Sequence, residues 1–342
     1  MTDSIYPGSI DTLFSAMGVG SLDKALVNNI YGINHMQNPG MVKANKDHQG
    51  FLFMTRPQLN LQPDNLRNYR ELYPLLDNDP KSLAKAIRML LDPRIGKGYT
   101  YPKPGGGKGY VTPQKSVLMD NENAFIPMIT NNLINVSGWP DEVMTTRSTE
   151  PGLHNQVFVS ADGMVRNYGE FDLTINVQNV SGDPTSALLH TWLHYMTALK
   201  EGRMVPYFDH IVGDRIDYFT RVYRIVLNEQ KTHVTKIFAC IAGFPTSNPT
   251  GMFADYNRET PFSEQTKEIS FRVKCMGFIA YDPLLIFHFN TTVGIFKPGM
   301  RDKYRDSAMV KLSPNELRTY NHRAYPRIEP DTMEMQWWVE RS

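Results

Sequence analysis

Residues 268–280, EISFRVKCMGFIA, alternate strictly through Ile269, Phe271, Val273 and Cys275 on one side and Ser270, Arg272 and Lys274 on the other. In a strand, successive side chains point to opposite faces, so this run requires a sheet with one buried and one wet face. A second run, 234–242, reads as its partner. The polar stretch between them, rich in Pro, Asn, Thr and Ser, is about 25 residues long, well beyond an ordinary hairpin connection. A loop of that length is functional or disordered, and it is read here as an assembly surface.

Other segments extend the pattern. Phe171, Leu173, Ile175 and Val177 alternate with Asp172, Thr174 and Asn176, and residues 217–227 repeat the period. The stretch 157–166 carries Asp162-Gly163 between short alternating runs, a two-residue hairpin signal. Residues 50–61 form a strand that Pro57 confines to an edge or an end. Two helices stand out. Residues 80–91 are predicted to start with Asp79 as cap and Pro80 in the first turn, and residues from 184 onward follow Asp183 as N-cap. Strands outnumber helices, so the expected class is α+β, mainly β with α additions: an antiparallel sandwich or barrel with one flanking helix and long loop insertions. Four regions are expected: an N-terminal arm over 1–50 with helix candidates at 10–17 and 22–30, a partly helical insertion over 51–156, a β domain over 157–300, and an extension over 301–342 ending on Trp337 and Trp338.

Composition narrows the function classes. With 36 basic against 35 acidic residues among 342, the net charge of +1 gives no bulk attraction to nucleic acid or an anionic membrane. No apolar run reaches about 18 residues, so no membrane span is expected. Cys240 and Cys275 are too few for a disulfide scaffold. They fall on the two opening runs, which leaves a bridge conceivable and two buried thiols the ordinary reading.

Two chemical motifs are incomplete. The Gly, Lys and Tyr-rich stretch 95–112 lacks the hydroxyl of a phosphate loop, because Gly109 follows Lys108. It reads as an insertion or inter-subunit loop, with Lys97, Lys103 and Lys108 available to an acidic neighbour. His190 and His194 have the i, i+4 spacing of zinc helices, yet Thr191 stands where the general base belongs. A structural metal would need one or two further ligands, with His210 and Asp209 the nearest in sequence, so the pair reads as surface or interface. No GxSxG elbow or recognisable cysteine nucleophile occurs. Catalytic, cofactor-binding and metal residues are therefore all expected to be none.

The order of GEFDLTINVQN, DPTSALLHTWLHYM, THVTKIFACIAGFPTSNP and KEISFRVKCMGFIAYDP resembles the tail-tube proteins of contractile-tailed bacteriophages, and more closely their tube-initiator relatives at the baseplate. The resemblance covers residues 157–290; the insertion at 69–150 and the chain after Met300 depart from a minimal tube protein. It implies a fold of tail-tube type, a virion location in the tail after assembly in the host cytoplasm, and no enzymatic activity. It further implies a homohexameric ring whose partners are copies of itself and other tail components of the tube, baseplate or neck. DNA is implied only as cargo through the lumen, and no membrane partner is implied. Phe271, Val273, Phe171, Leu173 and Ile175 are expected in the sheet core, and residues 245–262 at the inter-ring or inter-subunit surface. A neck or tail-terminator ring is the alternative; a tail-borne metal-dependent hydrolase and a sugar-binding sandwich are the rivals from other classes.

Overall fold

The structure is a computed structural model that describes residues 45–102, 108–163, 169–320 and 323–341. The expected arm helices at 10–17 and 22–30 lie outside the described residues. In chain order the strands are β1 (His48–Met54), β2 (Tyr99–Pro102), β3 (Lys108–Val111), β4 (Leu133–Ser137), β5 (Thr146–Ser148), β6 (Val159–Ala161), β7 (Glu170–Gln178), β8 (Val222–Leu227), β9 (Val234–Pro245), β10 (Glu268–Ala280), β11 (Met309–Lys311), β12 (Tyr325–Ile328) and β13 (Met335–Glu340). The helices that matter below are α1 (Leu83–Leu91), α2 (Pro184–Lys200), α3 (Phe208–Val212) and α4 (Leu284–Phe296).

The six-stranded main sheet has the order β1-β8-β9-β10-β7-β4, with every pairing antiparallel. The fold is α+β as expected, and the sheet stays open, with β1 and β4 at its edges. Both edge strands come from sequence outside 157–300. β10 pairs with β7 along nine consecutive positions, from Glu268 opposite Gln178 to Met276 opposite Glu170. That register brings Leu173, Ile175, Phe271 and Val273 together on one buried face, while Phe171 is half-buried at the end of its strand.

Two cores lie on opposite faces of this sheet. On the first face Leu173, Ile175, Phe271 and Val273 pack with Leu188, Leu189, Trp192 and Tyr195 of α2 and with Ile87 and Leu90 of α1. On the second face, over β1, β8 and β9, Tyr223, Ile225 and Ile237 pack with Ile286, Phe289 and Val293 of α4 and with Ile328 and Trp338. α2 flanks the first face, and α4 covers the second. Its sequence LLIFHFNTTVGIF is apolar on most sides, so helical periodicity is weak there and buried strand and buried helix look alike.

The alternation of β10 changes sides at Gly277, whose φ is +65°. Cys275 belongs to the first core and Ile279 packs against the second, although both are odd-numbered positions of one strand. A positive φ costs glycine little, which is why the turn-over sits there. A Cβ at this position would lie 2.4 Å from Cδ1 of Ile241.

Both expected helix caps change. α1 begins at Leu83 with Ser82 as the capping position, because Pro80 and Lys81 form a turn in which Asp79 Oδ1 accepts from the Lys81 amide at 3.0 Å. The strand at 159–161 pairs back onto Thr146–Ser148; residues 164–168, the far arm of the expected hairpin, lie outside the described residues. Asp183 does precede α2, in the left-handed region, with its carboxylate accepting from Asn179 Nδ2 at 2.6 Å instead of capping the helix.

Candidate assembly surface

The sheet register places the two long connections at opposite ends. β10 starts beside the last residue of β7, Gln178, so residues 246–267 lie at that end. β4 runs from Leu133, opposite Val177, to Ser137, opposite Thr174, and then leaves the sheet at the other end, where the chain returns at Glu170 opposite Met276. The segment between, an arm, carries the small ladder of β5 and β6.

Every residue of the arm from Asp141 to Gly163 is exposed, including Val143, Phe158 and Leu153, the last at 96%. An isolated two-stranded ribbon is marginal in water, so this one lacks the packing that would hold it by itself. Its base is firmer. Gly138, with φ +99°, passes so close to the Asp172 carbonyl that a Cβ would lie 2.1 Å from the oxygen. Trp139 packs there against Phe171 and Phe278, at ring separations of 6.0 and 5.6 Å.

At the opposite end the 246–267 connection contains short helices at Thr250–Ala254 and Phe262–Gln265. Asn248 ties it to α2: its Nδ2 donates to the Ser186 carbonyl at 3.1 Å, and Ser186 Oγ donates to its Oδ1 at 3.2 Å. Met252 and Phe253 reach the first core, whereas Tyr256 is 88% exposed. Of the stretch 245–262, Pro245 is buried and the residues from Asp255 to Phe262 are exposed, with the connection anchored at its beginning.

Behind these surfaces a polar node joins the layers. Asp92, wholly buried, accepts from the Tyr207 hydroxyl at 2.6 Å, the Leu61 amide at 3.0 Å and the Arg94 amide at 3.2 Å. Burial pushes its pKa up to about 6 despite those donors and the Arg88 charge. Tyr195 donates to the buried Asp217 and accepts from the Asn60 amide at 3.1 Å; burial raises the Asp217 pKa too. Arg94 makes a two-pronged pair with Asp209, both at 2.7 Å, and lies over the Tyr207 ring.

The incomplete motifs resolve individually. His210 and Asp209 are engaged with Arg94, and His210 Nε2 also lies 3.1 Å from Gln58 Oε1. His190 and His194 face each other, with ring centroids 4.1 Å apart. Among the described residues no three His, Cys, Asp or Glu side chains converge as a metal ligand set. Residues 99–102 and 108–111 form a two-stranded ribbon, while 103–107 lie outside the described residues. Cys240 and Cys275 are buried free thiols, and their mutual hydrogen bond, followed by burial, pushes the Cys275 thiol up. Cys240 stands opposite Phe278 and Cys275 opposite Gly243.

Among the described residues no helix is long and apolar enough to cross a membrane. The main sheet is open at two edges, with long connections at its two ends. The chain belongs to the family described as "Putative phage tail tube protein", whose model matches residues 3–342. It is a tail-tube-related structural protein of a phage virion. No curated protein matches it. Among solved structures it is similar to the anti-feeding prophage cap, the AFP tube terminating cap, with 12% identity over 44% of this chain and 80% of that one and a TM-score of 0.28.

Proposed function

We propose that the chain forms a homohexameric ring at an end of the tail tube, as an initiator or adaptor between the tube and its neighbour. The observation that carries this reading is the placement of the 141–163 arm and the 246–267 connection at opposite ends of one sheet. Edge strands β1 and β4 would join copies sideways by main-chain pairing, closing a ring, while the two end segments would meet different partners above and below. Contacts of that head-to-tail kind close when the rotation between copies allows and stack otherwise. DNA would pass through the lumen as cargo, without a base-reading surface.

A neck or tail-terminator ring would use the same edges, so position on the particle separates the two. Negative-stain imaging of purified protein is expected to show six-fold rings, and gold-labelled antibody is expected at the baseplate end of the tube. Monomers at high concentration would sink the ring; label at the neck would move it to the other tier.

A further inference from the structure

His190 and His194 lie one turn apart on α2, half-buried, with their ring centroids 4.1 Å apart. What the sequence pattern lacked was any sign that the rings are oriented. The Tyr69 hydroxyl lies 3.3 Å from His194 Nδ1, with the two rings 6.0 Å apart. With the ring hydrogen on Nδ1 and donated to the phenol oxygen, His194 presents the lone pair of Nε2. A hydrogen bond from the non-ligating nitrogen is the usual device for aiming a metal-binding imidazole.

We propose that His190 and His194 form a two-point chelate for a borderline divalent cation of the Zn2+, Ni2+ and Cu2+ class, with water completing the coordination sphere. Imidazole donors select these ions over Mg2+ and Ca2+, which prefer oxygen. With two protein donors the site is open and exchangeable, unlike a closed four-ligand structural zinc. The site uses neither the sheet edges nor the end segments, so it stands apart from the ring.

The test is calorimetric titration of the full chain with NiCl2 and with ZnCl2, using MgCl2 as the control ion. The wild type is expected to bind one equivalent more of Ni2+ than His190→Asn/His194→Asn, with no Mg2+ binding at this pair. Tyr69→Phe keeps both imidazoles and is expected to weaken that equivalent about tenfold, the lower end of what losing an orienting partner costs. Single His190→Asn, at a half-exposed position, serves if the double variant unfolds. Equal stoichiometry in wild type and the histidine variants, or an unaltered affinity in Tyr69→Phe, overturns the chelate.

Discussion

The Arg56 guanidinium donates to the Met89 carbonyl at 2.7 Å, in the last turn of α1, where that carbonyl has no later amide to receive. The same side chain donates to the carbonyls of Leu90, Asn121 and Asn123 at 2.9, 2.8 and 2.9 Å. It thereby ties β1's exit, the end of α1 and the 121–123 loop into one joint. Burial pulls its pKa down to about 9, partly countered by Asp120 and Asp92, so it stays charged at pH 7. Arg56→Met would strand those carbonyls without a donor and is expected to cost about 3–5 kcal/mol, as when one partner of a buried charged network is removed. Urea unfolding checks the size; a loss below about 1 kcal/mol would show that water replaces the guanidinium.

Gly277 provides a second, independent test. Substitution by Ala combines a left-handed backbone, worth about 1–2 kcal/mol, with the clash against Ile241. Ile241→Ala in the same chain removes the clash and leaves the backbone cost. The double variant is therefore expected to be more stable than the sum of the single losses implies, as a double-mutant cycle by thermal unfolding can show.

Asp92 makes stability depend on pH in a set direction. Its carboxyl sits at about 6 in the fold and near 3.9 in an unfolded chain, so between those values the native state holds more protons. Its contribution is present below about pH 4 and declines as pH rises to about 6, by about 3 kcal/mol at most. Asp92→Asn removes the titration. Its unfolding free energy, measured against wild type across pH 4–7, is expected to show the difference shift in favour of Asn as pH rises; a flat difference refutes the assignment.

Replacing residues 142–160 by a short Gly-Ser linker tests the exposed arm. No residue from Asp141 to Gly163 is buried, so the melting temperature of the monomer is expected to stay within about 2 °C, the scale of a surface change. In the proposed ring, closure through β1 and β4 is expected to survive, while attachment to the proposed axial neighbour is lost in electron micrographs. Loss of rings together with attachment would assign the arm to the sideways contact instead.

The sequence by itself determined the strands whose information is local. Ile269 to Cys275 and Phe171 to Val177 alternate because a one-faced strand must, and those residues sit face to face in the first core. Family membership was legible in the same runs, since their order is a property of the chain. The partner of each edge was not. Phe51 pairs with Ile225 and Leu133 with Val177 across long loops, and no local propensity encodes such meetings. The second core escaped for a related reason: α4 is apolar on most sides, and only the apolar second face of β8 and β9 decides which side is covered. The switch of faces at Gly277 and the joint at Arg56 likewise depend on atoms brought close from distant segments. The i, i+4 histidines were visible as spacing alone, and tertiary packing supplied Tyr69, the group that orients one of them. Periodicity is a short-range consequence of backbone geometry, whereas pairing, burial of second faces and side-chain orientation are fixed by which surfaces meet.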